Sequence, residues 1–142
     1  MNVSTRFTVA LHILTLLASQ PGEALTSEYI AGSVNTNPVV VRRLLGLLRK
    51  ARMVTSQPGA GGGWELSVDP ALLSLRDVRR AVNEGSPFSM HTHSPNPQCP
   101  VGKNIQQALT PLYDHAEQVM EADLGRTTIL SLLHSVQSKS HV

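Results

Sequence analysis

The chain has 142 residues, of which 41% are apolar and only 4% aromatic. This composition provides enough apolar residues for a folded core and favours helices over a β-sandwich or barrel. No apolar run reaches the roughly 18 residues that a bilayer span needs. The stretch at residues 9–18 contains His12 and lacks a basic leader, so we interpret it as a core helix and expect a cytoplasmic protein without membrane contact. The single cysteine excludes an internal disulfide and any cluster held by cysteines alone within one chain.

The net charge is only +2, but the charges are unevenly distributed. Up to Val82 there are nine Lys and Arg against five Asp and Glu, and after it three against five. Residues 42–52 contain five basic side chains and no acidic one. Such a concentrated positive stripe is typical of a surface that binds a phosphate backbone, although a solvated helix face has the same composition.

Three helices are predicted in the first third of the chain. Apolar residues at three- and four-residue steps predict a helix over residues 4–19, with Ser4 as its N-cap. Thr26 caps a short second helix that extends to residue 34. Asn37 caps a third helix that continues to about residue 51, with Pro38 at its first position, where the missing amide costs nothing.

A hairpin and a fourth helix follow. Residues 53–56 and 64–68 are β-prone and are joined by a glycine-rich loop, which predicts two antiparallel strands. Ser74 caps a fourth helix that ends near residue 83.

The last part of the chain divides into a loop and two helices. Residues 84–102 hold four prolines and little periodicity, which indicates a loop. A long helix is predicted from Lys103 to about residue 124, with Pro111 as the site of a kink or a late start. A last helix covers residues 127–136. We therefore divide the chain into residues 1–83, a proline-rich loop at 84–102, and a C-terminal helical part at 103–142.

Two short helices joined by a tight turn, the second of them basic, predict a helix-turn-helix, and the hairpin then corresponds to its wing. The fold class is therefore mainly α with a small β-hairpin. Base contacts are predicted for Asn37, Val39, Arg42 and Arg43, since Arg binds guanine and Asn binds adenine through paired hydrogen bonds. Phosphate contacts are predicted for Thr36, Arg49 and Lys50. The alternative is a helical bundle with an ordinary hairpin.

Other chemistry has weak support in the sequence. The glycine run at residues 59–63 lacks the Gly-Lys-Ser/Thr that a phosphate-binding loop needs, and a strand follows it. We find no catalytic triad, zinc-protease motif or strand-glycine-helix cofactor turn, so we do not expect an enzyme. His91, His93 and Cys99 lie in one loop and are candidate metal ligands, although loop histidines are commonly only solvated. Cys99 is also a candidate redox or electrophile sensor, because a helix N-terminus stabilises a thiolate.

The segment LLGLLRKARMVTSQPGAGGGWEL, from Leu44 to Leu66, resembles the Leu-x-x-Leu-Arg-Lys-Ala-Gly-Leu-Val … Arg-Gly-x-x-Gly-Gly-Tyr-x-Leu pattern of the Rrf2 family. That family includes the iron–sulfur cluster regulator, the nitric-oxide-sensitive repressor and the cysteine-metabolism repressor. The resemblance implies a homodimeric winged helix-turn-helix regulator, usually a repressor, that binds an imperfect palindrome in double-stranded DNA. It places Gln57, Gly59, Gly61 and Gly62 on the wing and Arg6 near DNA. It also implies a long dimerisation helix, whose interface residues would be Ile105, Leu109, Leu112, Ala116, Val119 and Met120.

Three departures from the family pattern matter. Pro58 stands where many members have a wing arginine, and Arg52 replaces a glycine. Cluster-binding members carry three cysteines in the loop before the dimerisation helix, whereas this chain has only Cys99. We therefore expect no iron–sulfur cluster and no other cofactor, with the signal acting through Cys99 or its loop. A small-molecule or protein effector is left open, as is the alternative that the winged domain binds a partner protein without reading DNA.

Overall fold

The computed structural model describes residues 5–140, which form six α-helices and one two-stranded antiparallel hairpin. In chain order these elements are α1 (Arg6–Ser19), α2 (Ser27–Val34), α3 (Pro38–Lys50), β1 (Val54–Gln57), β2 (Gly63–Leu66), α4 (Leu75–Ala81), α5 (Pro100–Leu124) and α6 (Ile129–Lys139). A single 3₁₀ turn, Pro70–Leu72, precedes α4. The predicted mainly helical fold with a hairpin wing is confirmed.

The caps that the sequence predicted for α2, α3 and α4 are present. Thr26 accepts a hydrogen bond from the Tyr29 amide, and Ser74 forms a reciprocal capping box with Asp77. The predicted cap of α1, Ser4, lies outside the described residues, and Thr5 occupies the position before this helix. These local signals define the helix starts because each cap satisfies an amide that has no partner within its helix.

Two features of α5 differ from the prediction, and both involve a proline. The long helix α5 begins at Pro100 and not at Lys103, because a proline at the first helical position lacks only an amide that would be unpaired anyway. The helix also continues through Pro111 as one element, without the late start that the sequence suggested. A proline inside a helix removes one backbone hydrogen bond, and the 25-residue length of α5 leaves the other turns to hold it.

The described residues separate into two compact units, 5–84 with 124–140, and 85–123. The first unit has a core of leucine, isoleucine and valine side chains from α1 to α4 and from Ile129 of α6. Helix α6 packs against α1, and the Leu75 amide donates to the Thr127 carbonyl at 2.9 Å. The last helix therefore belongs with the winged domain and not, as the sequence pattern predicts, with the long helix.

The hairpin is extended by one residue from the segment before α2. Strands β1 and β2 pair in register from Val54 opposite Leu66 to Gln57 opposite Gly63. Leu25 then pairs with Trp64 through two backbone hydrogen bonds of 2.8 and 3.0 Å. This pairing attaches the wing to the helical part of the domain.

The second unit contains the proline-rich segment and most of α5. Phe88 stacks on Tyr113 with ring centroids 4.8 Å apart, and Gln106 lies 3.4 Å from His91. These contacts hold the segment before α5 along the helix itself. The segment that the sequence predicted as a loop is thus irregular and mostly exposed, but it contacts α5 at Tyr113 and Gln106.

Candidate nucleic-acid interface

The start of α3 is defined by a residue with a left-handed backbone conformation at the end of α2 and by an N-cap residue directly before Pro38. Asn35 ends α2 with φ +62°, a backbone conformation that Asn tolerates better than most residues. The Thr36 amide donates to the Ala31 carbonyl at 3.0 Å, and the Asn37 side-chain oxygen accepts from the Val39 amide at 2.7 Å. This tight turn between α2 and α3 is the geometry of a helix-turn-helix.

The side of α3 opposite the core forms an outer ridge, which we define as Val39, Arg43, Gly46 and Lys50. The buried residues Val41, Leu44, Leu45 and Leu48 occupy the inner side. At 100° per residue the ridge positions project away from that inner side. Val39 is 55% exposed despite being apolar, and Arg43 and Lys50 are exposed. An exposed ridge with one apolar and two cationic side chains is complementary to the major groove of DNA, which presents thymine methyl groups and hydrogen-bond acceptors on guanine.

Arg42 lies on the flank of this ridge and is paired within the domain. Its Nη2 donates to Glu28 Oε1 on α2 at 2.8 Å, with both side chains largely exposed. A hydrogen bond from its own backbone and the Arg42 guanidinium lower the pKa of the Glu28 carboxyl. Arg43, the next residue, has no hydrogen-bonding or ionic partner among the described residues.

Arg49 connects α3 to the wing. Its guanidinium carbon lies 5.7 Å from the centroid of the Trp64 ring on β2, within the range of a cation–π contact. Arg49 is seven residues after Arg42, so both lie on the same flank of the helix. Two of the three predicted DNA-binding arginines of α3 therefore have partners in the protein.

The wing tip is built on glycines. Gly59 and Gly61 have φ of +91° and +76°, and Gly62 closes the tip by donating its amide to the Gly59 carbonyl at 3.0 Å. The Gln57 carbonyl lies so close to Gly62 that a Cβ would not fit at this position. The Gln57 side chain donates to Glu65 across the hairpin at 3.2 Å. The predicted wing residues are thus brought together at one exposed tip.

Arg6 is held at the end of α4. Its Nη2 donates to the Asn83 carbonyl at 2.9 Å, and its Nε lies 3.9 Å from Glu84. This arginine was predicted near DNA from family resemblance, and the structure gives it a role in joining α1 to α4.

Cys99 is exposed and immediately precedes the first residue of α5. Hydrogen bonds from the Gly102 and Val101 amides lower the pKa of the thiol. The sulfur therefore occupies a capping position, where the helix dipole also favours a negative charge.

The predicted dimerisation residues share one face of α5. No residue of this helix is buried in the single chain. Leu112 and Val119 are 64% and 57% exposed, while Ile105, Leu109, Ala116 and Met120 are half-buried. The apolar stripe is incompletely covered by the described residues.

Two residues of this surface were not predicted from the sequence, Glu28 and Trp64. Each acts through a partner on another element, Arg42 and Arg49 respectively. The only sequence signal was indirect, since an acidic residue and an aromatic one flank an otherwise basic segment.

The fold and this surface define a winged helix-turn-helix protein. Residues 3–135 match the model of the Rrf2 family, described as "Iron-dependent Transcriptional regulator". The chain belongs to the Rrf2 family and is a transcriptional regulator, not an enzyme.

Similar proteins agree with this assignment. The "Putative HTH-type transcriptional regulator YwnA" of Bacillus subtilis is 44% identical over 133 residues, covering 93% of this chain and 97% of that protein. A crystal structure of a "putative DNA binding protein" is 42% identical with a TM-score of 0.71, covering 90% of this chain and 98% of that one. CymR, the global cysteine regulator of B. subtilis, has the same fold at 24% identity, with a TM-score of 0.67 and coverage of 95% and 98%.

The family description names iron, a metal that proteins bind through groups of His, Cys, Asp or Glu side chains. Among residues 5–140 no group of three or more His, Cys, Asp or Glu side chains is placed to hold a metal ion. Cys99 is the only cysteine in the sequence.

No helix in the described part of the chain is both long and apolar enough to cross a membrane.

Proposed function

We propose that this regulator is a repressor that binds an imperfect palindrome in double-stranded DNA as a homodimer. The observation that carries the proposal is the exposed outer ridge of α3, which projects away from the core behind a capped N-terminus. In a helix-turn-helix the second helix enters the major groove, with its first residues at the base edges. The predicted cytoplasmic location belongs to this proposal, since bacterial DNA lies there.

The contacts follow from the chemistry of the ridge. Arg43 can donate two hydrogen bonds to a guanine, and Val39 is placed to pack against a thymine methyl group. Lys50 and Thr36 contact phosphates, which set the position of the helix without reading sequence. The wing tip at Gly59 and Gly61 lies along the backbone, where exposed glycines allow a close approach.

The homodimer forms through α5. Leucine and valine side chains that are more than half exposed in one chain gain most by packing on the same face of a second copy. A two-fold dimer of this kind presents two copies of α3 to successive major grooves, about 34–36 Å apart along the duplex. This spacing is the reason for proposing a palindromic site.

The switch acts through Cys99 without a metal cofactor. The thiol first loses its proton to solvent, and the thiolate then adds to the carbon–carbon double bond of an α,β-unsaturated carbonyl compound. A sulfur–carbon bond forms as the π bond breaks, and the α carbon takes up a proton from solvent. A hydroperoxide takes two electrons from the same sulfur, leaving a sulfenic acid and a molecule of water or alcohol. Either product removes the charge that the Gly102 and Val101 amides hold, and so alters the start of α5.

The switch is tested by adding an electrophile or a hydroperoxide to the DNA complex. We expect DNA release from the wild-type protein and none from Cys99→Ser, which keeps the size of the side chain. Release from both proteins to the same extent would remove Cys99 from the mechanism. Iron analysis of the purified protein should find none, and a bound iron atom would contradict the cofactor-free proposal.

DNA binding is tested by fluorescence anisotropy on the region upstream of the protein's own gene. We expect Arg43→Ala to weaken binding about 10- to 100-fold, since a base-reading arginine contributes about 1–3 kcal/mol. Arg126→Ala removes the same charge from an exposed position away from α3 and is the matched control. Binding that is unselective in the wild type, or that survives Arg42→Ala/Arg43→Ala, would favour a protein-binding module.

A further inference from the structure

Gly46 lies in the interior of α3, where a glycine lowers the stability of the helix. Glycine is the least favourable helix residue after proline, because its backbone loses the most freedom on folding. Two other glycines of this domain have an internal reason. At Gly63 a Cβ would lie 2.6 Å from the Leu25 backbone, and at Gly125 it would lie 2.8 Å from the Arg76 guanidinium carbon.

No such reason exists at Gly46 within the described residues. A Cβ built there has no atom within 4 Å outside the local helix backbone, and the residue has ordinary helical geometry. An alanine would therefore fit the isolated domain and stabilise the helix. Packing within the single chain therefore does not account for the missing side chain at Gly46, and the surface on which Gly46 lies decides between it and other open glycines such as Gly32.

The position of Gly46 indicates what approaches it. It belongs to the outer ridge, three residues after Arg43 and four before Lys50, so the two exposed cations lie one turn to either side. Gly46 is itself half-buried, but a Cβ there would meet open space. Cations on both sides of such a position favour a polyanion over a neutral protein surface.

We propose that Gly46 is the close-approach point of the DNA-reading helix, at which the α3 backbone itself contacts the wall of the major groove. This inference rests on the proposed function. Because Gly46 has no side chain, α3 enters the major groove more deeply, and Arg43 and Val39 then reach the base edges. Gly46 is therefore a specificity-determining position that acts by its lack of volume.

The test uses Gly46→Ala and Gly46→Leu, with Gly32→Ala as the matched control. Gly32 lies in α2, is exposed, and likewise has no atom within 4 Å of a Cβ. Both alanine variants should raise Tm by about 2–4 °C, the shift expected when a helical glycine is replaced in a chain of this size. A rise in Tm establishes that any loss of binding is not a loss of fold.

Binding is measured on duplexes that the wild-type protein selects from a pool with a random central region. We expect Gly46→Ala to lose at least 10-fold and Gly46→Leu at least 100-fold in affinity, whereas Gly32→Ala stays within twofold of wild type. Affinity for unrelated duplex DNA should fall much less. Wild-type affinity in Gly46→Leu would overturn this inference alone. Failure of the wild-type protein to select any sequence would overturn the proposed function as well.

Discussion

The Arg42 guanidinium on α3 is bound to the Glu28 carboxylate on α2, with 2.8 Å between Nη2 and Oε1. Neighbouring Arg43 has no such partner among the described residues. Two arginines that are adjacent in sequence therefore differ in whether a carboxylate of the protein already balances their charge. The charge of Arg42 is balanced by Glu28, whereas the charge of Arg43 is available to DNA.

Glu28→Gln should make DNA binding stronger and less selective. The substitution keeps the shape of the side chain but frees the charge of Arg42 for a phosphate. The plot of log affinity against log salt should steepen by about 0.9, the contribution of one additional phosphate contact. Affinity for unrelated duplexes should rise several-fold, as measured by anisotropy at several salt concentrations.

Because the pKa of Glu28 is lowered, its carboxylate stays charged at neutral pH. The pair with Arg42 is present above the ordinary carboxyl pKa and is lost only as pH falls through the lowered value. Binding experiments near pH 7 therefore need no correction for this group. An unchanged salt slope in Glu28→Gln would mean that Arg42 stays away from phosphates in the complex.

Gly63→Ala should destabilise the winged domain. Gly63 has φ +152°, and a Cβ would lie 2.6 Å from the Leu25 backbone, at the point where the wing pairs with the segment before α2. Overpacking together with backbone strain should cost about 2–4 kcal/mol in the free energy of unfolding. Urea denaturation can follow this through the fluorescence of Trp64, the single tryptophan.

The control for Gly63→Ala is Gly61→Ala. Gly61 also has a positive φ, +76°, but a Cβ there has nothing within 4 Å. The free energy of unfolding should therefore fall only by the cost of placing an L-residue at positive φ, about 1–2 kcal/mol. Equal losses in the two variants would show that the contact with Leu25 does not limit this position.

The Cys99 thiol should ionise at a lower pH than an ordinary cysteine. The Gly102 and Val101 amides lower its pKa, so the reactive thiolate is present at lower pH. The rate of alkylation by iodoacetamide, measured against pH, should have its midpoint below that of an unstructured peptide covering residues 93–103. Coincident midpoints would indicate that the start of α5 does not stabilise the thiolate in solution.

Leu112→Asp or Val119→Asp should convert the protein to a monomer. Either change places a charge within the apolar stripe of α5, where pairing with a second copy would bury it without a partner. Analytical ultracentrifugation measures the result. Gln107→Asp adds the same charge on the opposite face of the helix and should leave the dimer intact. A dimer that persists in both stripe variants would place the interface elsewhere.

Most of the fold could be predicted because its signals are local. The caps Thr26, Asn37 and Ser74 and the glycines of the wing act on amides and turns only a few residues away. The apolar period of α3 likewise predicts its buried side from sequence alone. The start of α5 at Pro100 was missed because proline is compatible both with a loop and with the first turn of a helix.

The amino-acid sequence by itself determined a winged helix-turn-helix with a basic second helix and one cysteine before a long helix. Only the tertiary structure decided which cations are free. Arg42 meets Glu28 from 14 residues away, and Arg6 meets Asn83 from 77 residues away. Arg49 lies over Trp64, on a strand that sequence period alone does not orient towards α3. These pairings depend on how separate elements pack, and no local spacing specifies that packing.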